Sequence, residues 1–279
     1  MSEVRGPRPF AWVAIALAAP LAACAPALRE PPPLAALGGR APGTPIETPS
    51  AADIDRVLGE AEASFGRRPD AAAVARALDL FLAAARADDG RVEGLLGAAR
   101  ASAWLIEHER DAGRRAVLAT EAVQACQWCV ERSSSSIPCK YRLALAIGQQ
   151  ARERPSTGVD AAPRIVALLE EVIAADPLLD FAGGHRVLGL LLLRAPGWPT
   201  GPGDPEAGLD HARRADSLVP DHPDNLLVLG EALAATGSTA EARQAYQRAE
   251  KLARARAAQG DPDAREQAEA AARALASLR

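Results

Sequence analysis

Residues 224–253 read DNLLVLGEALAATGSTAEARQAYQRAEKLA, and this stretch restricts the possible folds more than any other. Leu226, Leu229 and Leu233 recur at the helical spacing of three and four, with Gly230 set among them. A second helical pattern follows with Ala242, Tyr246 and Ala249 on one face. Between them, Gly237 suits a left-handed helix end, and Ser238 with Glu241 reads as a capping box for the next helix. The small residues let two antiparallel helices approach closely, while the large ones project beyond the hairpin. A single hairpin of this kind leaves an apolar face uncovered, so the chain must supply neighbours.

Those neighbours are legible upstream. His185-x2-Leu188-Gly189-x2-Leu192 repeats the first-helix spacing, and its partner helix carries Ala212, Ala215 and Leu218 before ending at Pro220. Ala77, Phe81 and Ala84 mark an earlier second helix, followed by a helix over 92–103 centred on Leu96 and Gly97. A further helix begins near Pro163, places Val166, Leu169, Val172 and Ile173 on one face, and closes at Asp176-Pro177. Leu226-x2-Leu229-Gly230-x2-Leu233 followed by Ala242-x3-Tyr246 resembles the tetratricopeptide (TPR) repeat, W-x2-L-G-x2-Y and then A-x3-F. Gly189 and Gly230 stand 41 positions apart, against a repeat of about 34 residues. The excess falls in the loop 195–204, APGWPTGPGD, an insertion between two helices.

The expected fold is therefore all-α, a TPR-like solenoid of about ten antiparallel helices over residues 51–279. Asp204-Pro205 and Asp261-Pro262 place helix-capping carboxylates before first-turn prolines. A last helix from Pro262 to Leu278 sets Ala268, Ala271, Ala272 and Leu275 on one face and Arg265, Glu266, Glu269 and Arg273 elsewhere, as a solubilising end cap requires.

The amino terminus reads as an address. Arg5 and Arg8 precede an apolar run from Phe10 to Ala23 of signal-peptide length, which is short for a transmembrane span. Leu21-Ala22-Ala23-Cys24 resembles a bacterial lipobox. That resemblance implies a signal peptide over 1–23 and acylation of Cys24, with two or three chains giving durable attachment at about 0.8 kcal/mol per buried methylene. Ala25 in place of Asp implies, by the same resemblance, export to the outer membrane, facing the periplasm. Residues 24–50 hold seven prolines, with Gly38, Gly39 and Gly43 among them, and read as a polyproline-rich tether.

A formal charge of −4 argues against nucleic acid, which calls for a basic footprint. With Cys24 acylated, Cys126, Cys129 and Cys139 remain. A bridge from Cys126 or Cys129 to Cys139, a redox or metal role for Cys126-x2-Cys129, and plain buried thiols all stay open. A matching second cysteine pair for zinc is missing, and Val130 stands where covalent haem attachment needs histidine. His108, His185, His211 and His222 lack metal-site spacing, and no hydrolase triad, phosphate loop or paired-carboxylate motif occurs. The expectation is a non-enzymatic protein without metal or cofactor.

One region concentrates unusual residues. Gly183 and Gly184 precede a helix whose first turn holds His185 and Arg186, and Arg194 leads into the loop bearing Trp198. Read as a site, this is an anion- or partner-binding patch with Arg186 as anchor and Trp198 as lid. Read as structure, His185 replaces a packing tryptophan, Arg186 pairs with a carboxylate and Trp198 pins the loop. The run GGHRVLGLLLLRAPGWP, with the following GDPEAGLDHARRADSLVPDHPDNLLVLGEAL, also resembles the TPR lipoprotein T component (TatT type) of TRAP-type transporters. That resemblance implies a lipoprotein partnering a periplasmic solute-binding protein and passing it a hydrophobic or anionic ligand. Envelope protein partners are expected in any case; self-association is open. A structural lipoprotein of outer-membrane or pilus assembly is the alternative.

Overall fold

The computed structural model describes residues 30–37 and 47–278, so the signal peptide and Cys24 lie outside the described residues. Among the described residues, eleven α-helices follow one another: α1 (Ile54–Phe65), α2 (Ala71–Ala87), α3 (Glu93–His108), α4 (Ala112–Arg132), α5 (Ile137–Glu153), α6 (Gly158–Ala175), α7 (Leu179–Arg194), α8 (Pro205–Leu218), α9 (Pro223–Ala235), α10 (Thr239–Ala258) and α11 (Ala264–Ser277). The solenoid of antiparallel hairpins expected from the spacing is present, with one helix more than the expected ten. Each helix packs on the next along the chain. The odd-numbered helices also touch one another in series, α1 to α3 to α5 and onward to α11. They form the inner layer of the solenoid and the even-numbered helices the outer one.

Local chemistry explains most of the helix starts. Asp70 accepts from the amides of Ala72 and Ala73, Asp111 from Arg114, Ser136 from Cys139 and Asp204 from Ala207. Each satisfies an amide that the first helical turn leaves without a partner. Gly237 ends α9 at φ +87, as its place predicts. Three boundary expectations need correction. Ser238 flanks α10 but its hydroxyl makes no capping bond, so the capping box does not form. The amide of Thr239 bonds to Gly237 instead. The last helix starts at Ala264, because Asp261 spends a carboxylate oxygen on the amide of Asp263 in the preceding turn. The helix expected near Pro163 starts at Gly158 and carries the proline inside it, continuing from a short 3-10 turn over Pro155–Thr157.

The core runs as overlapping apolar clusters along the stack, from α1 through α5, then α3 through α7, then α7 through α11. Close approach is enforced by glycine. A Cβ on Gly97 of α3 would stand 2.3 Å from the Phe81 ring, and one on Gly230 of α9 would stand 2.5 Å from the Tyr246 ring. The aromatic therefore lies flush against the helix that faces it.

Two long-range features were not anticipated. The charged surface of α11 is more than a solubilising cap. Arg68, in the turn after α1, holds both carboxylate oxygens of Asp263 through Nε and Nη2 at 2.9 and 3.1 Å. His108, ending α3, lies 2.5 Å from Glu266 while its other ring nitrogen donates to the Trp104 carbonyl. These bonds span 195 and 158 positions of sequence, so the last helix reaches back to the first hairpins. Burial opposes protonation of His108, but Glu266 and the Trp104 carbonyl outweigh it and raise its pKa.

The second feature corrects the reading of 24–50 as a tether throughout. Pro31, Leu34 and Leu37 are buried, Leu37 to 2 % exposure, and the indole of Trp128 on α4 donates to the Pro32 carbonyl at 2.9 Å. Arg86 of α2 donates to the carbonyls of Leu34 and Leu37. The apolar leucines interrupt the proline run and provide surface worth burying, which composition alone obscures.

Candidate functional site

The first turn of α7 is built from an unusual backbone. Asp180, Phe181 and Ala182 all take left-handed φ values of 52, 56 and 62, and regular helix begins at Gly183. Left-handed residues other than glycine cost about 1–3 kcal/mol each, so surrounding contacts must hold the turn. Arg186 supplies them. Its guanidinium donates to the carbonyls of Asp180 and Phe181, both at 3.1 Å, to the Asp180 carboxylate at 2.9 Å and to Asn225 Oδ1 at 3.0 Å. Tyr141 of α5 donates its hydroxyl to the same carboxylate at 2.6 Å. Burial, more than its neighbours, raises the Tyr141 pKa and keeps that hydroxyl a donor.

Asn225 was not singled out from sequence and is the hub of this arrangement. Wholly buried, it donates to the carbonyls of Phe181, Ala215 and Val219, tying α7, α8 and α9 together. A signal existed: Asn225 shares one helical face with Val228 and Ala232, both buried, and a polar residue on such a face demands partners.

The candidate residues thus separate. Arg186, whose side chain is 11 % exposed, turns Nη1 and Nη2 inward to four protein acceptors, which corrects its reading as an anion anchor. Gly183 and Gly184 are packing positions. A Cβ on the first would meet the Tyr141 hydroxyl at 2.3 Å, and on the second Ile173 at 2.9 Å. Arg194 pairs with both oxygens of Glu231 at 2.7 Å, and that bond raises its pKa against the opposing effect of burial. His185 sits with Nδ1 2.9 Å from Nδ1 of His211 on α8, so one ring donates to the other.

Burial first, then the proximity of His211 and Arg214, pushes the His185 pKa down to about 4. Burial lowers His211 as well, against Asp210 and Glu170. Both histidines thus bind protons more readily in the unfolded chain, where histidine titrates near about 6.5. The expected result is a loss of stability as pH falls from about 6.5 toward 4. Denaturant melts over that range should show it, and His211→Gln should flatten the dependence.

Trp198 is 91 % exposed, so it does not pin the loop, which corrects that reading. The loop holds its shape by backbone bonds. The Gly203 amide donates to Pro196, the Asp204 amide to Leu192, and the amides of Thr200 and Gly201 both donate to Gly197. A Cβ on Gly203 would stand 2.1 Å from the Ala195 carbonyl, so close turning depends on glycine there. An ordered loop, uncharged as far as Asp204, therefore presents a bare indole. Phe181, 52 % exposed and stacked on His222 at 4.5 Å, is a second outward ring at the other end of α7.

The cysteines resolve into one bridge. Cys129 of α4 joins Cys139 of α5 across a Cα separation of 5.4 Å, closing the turn 133–136. Cys126 is free and buried, and burial pushes its thiol up to about 12 despite Arg142. The geometry therefore counts against a Cys126/Cys129 redox pair. For a loop of 10 residues, chain entropy predicts that Cys139→Ser lowers stability by about 3 kcal/mol. Denaturant unfolding of the oxidised parent and the variant measures it.

These features define a class: an all-α, TPR-like solenoid. No family model matches the chain, and no curated protein matches it in sequence. It is similar to the crystal structure of TTC0263, a thermophilic TPR protein in Thermus thermophilus. The two share 18 % identity and a TM-score of 0.57, over 78 % of this chain and 98 % of that one. A crystal structure of MamA is similar at 16 % identity and a TM-score of 0.45, over 73 % and 93 %. At 18 % identity it is the fold that this chain shares with TTC0263.

Proposed function

We propose that this chain is a non-enzymatic scaffold of the bacterial envelope, anchored by acyl chains on Cys24 and binding a protein partner through its helical stack. The observation that carries the reading is the contrast at α7. Arg186 is spent inside the fold and Arg194 on a surface pair with Glu231, while Trp198 stands bare on a loop that keeps its form without it. Tryptophan is enriched among residues that dominate protein–protein contacts. Extended surfaces of stacked repeats serve such contacts.

The finer reading rests on two resemblances, the lipobox at Cys24 and the likeness of residues 160–255 to TatT-type components. In that reading the anchor lies in the outer membrane and the partner is the periplasmic solute-binding protein of a TRAP-type transporter. An outer-membrane or pilus assembly role is the competing reading, and the captured partner decides between them. The test is crosslinking in intact envelopes followed by capture of the full-length protein. Recovery of a solute-binding protein by the parent, lost in Trp198→Ala, supports the finer reading. Recovery of outer-membrane or pilus assembly proteins instead replaces it. Cys24→Ser should move the protein from the membrane pellet to the soluble fraction, and retention in the pellet would contradict the anchor.

A further inference from the structure

We infer that residues 32–37 are a docked strap that holds one chosen edge of the solenoid toward the bilayer and leaves the Trp198 loop facing away from it. The inference rests on acylation of Cys24 as proposed above and specifies the geometry that anchor imposes.

The strap is attached at three kinds of contact: buried Leu34 and Leu37, the Trp128 indole bonded to Pro32, and Arg86 bonded to the carbonyls of Leu34 and Leu37. Thr48 lines a pocket with Pro33, Leu34 and Trp128, so the returning chain lies beside the strap. All of these contacts gather near the carboxyl ends of α2 and α4. Arg132, the last residue of α4, also bonds there to the carbonyls of Asp88 and Arg91.

Chain length then sets the distance. An undocked stretch from Cys24 to residue 50 would extend about 80 Å at about 3.1 Å per residue. With Pro32 fixed, eight residues separate Cys24 from the solenoid, a reach of at most about 28 Å. The nearest edge is the one holding the turns 88–92 and 133–136. Helices in the stack are antiparallel, so the carboxyl end of α7, with the loop 195–204, lies on the opposite edge. A helix such as α5, of 17 residues, separates the edges by about 25 Å. The occupant of the near edge is thus the bilayer surface, and the bare indole is presented to the compartment beyond.

Energy transfer measures this on the full acylated protein in vesicles carrying an acceptor-labelled lipid. Donors go on Ser134→Cys, at the near edge, and on Thr200→Cys, at the far edge; both positions are exposed. Cys126 is buried and Cys129 is bridged to Cys139, so with Cys24 acylated the added thiol is the one that reacts. The expected result is transfer several-fold stronger from position 134 than from position 200. Leu34→Asp with Leu37→Asp should detach the strap and even out the two signals, with helical circular dichroism unchanged because neither residue belongs to α1–α11. Equal transfer in the parent, or a difference that survives the double substitution, overturns the strap. Mass spectrometry of the purified protein separates the remaining outcome: no acyl mass on Cys24 overturns the anchor itself, and the strap's orienting role with it.

Discussion

Arg186→Ala is expected to destabilise the protein by about 2–3 kcal/mol, because the Arg186 side chain is 11 % exposed and that of Asp180 32 %, so the pair falls short of the about 3–5 kcal/mol lost when one member of a fully buried pair is removed. The arginine carries four separate duties. Its loss leaves the Asp180 carbonyl and Asn225 Oδ1 without this donor, and leaves the Phe181 carbonyl and the Asp180 carboxylate with Asn225 and Tyr141 alone. It also loosens the hold on the left-handed residues Asp180 and Phe181. Lysine should restore little, because one ammonium cannot span four acceptors arranged for a planar fork. Denaturant unfolding of the parent, Arg186→Ala and Arg186→Lys measures both claims. A fully stable Arg186→Ala would mean the turn is held by something other than this side chain.

Phe81→Ala should cost about 3–5 kcal/mol, the range for deleting a buried aromatic ring. Phe81 is 1 % exposed and lies flush against Gly97. The converse change, Gly97→Ala, puts a methyl 2.3 Å from the ring and should cost about 1–3 kcal/mol by overpacking. The two are directly coupled, so combining Phe81→Leu with Gly97→Ala should cost less than the sum of the single changes. Thermal or denaturant unfolding of the parent, the two single variants and the double variant gives that coupling. Strict additivity would contradict the contact.

Helical periodicity made the hairpins legible, and single residues made their ends legible. Gly237 and Asp204 act where their chemistry places them, and the surplus residues between Gly189 and Gly230 do form an inserted loop. What escaped has a common physical cause. No glycine or asparagine marks the left-handed run of Asp180, Phe181 and Ala182, because tertiary bonds rather than local preference hold it. Arg186 and Asp180 stand close in sequence, but their meaning depends on Asn225 and Tyr141, each 39 positions from its partner in the network. Arg68 finds Asp263, and Trp128 finds Pro32, across separations that carry no spacing signal. Of the polar residues conspicuous in the sequence, Arg194 is therefore used in a surface pair, and Arg186 and His185 are used inside the fold. Trp198 stood out for the opposite reason and stays outside it.

The most direct test sets Arg186→Ala beside Trp198→Ala, measuring unfolding free energy and envelope crosslinking for each. The account predicts that Trp198→Ala unfolds as the parent does and loses the partner, whereas Arg186→Ala unfolds far more easily. A stable Arg186→Ala protein that fails to capture the partner, together with a Trp198→Ala protein that captures it normally, would place the working surface at the arginine and contradict the account.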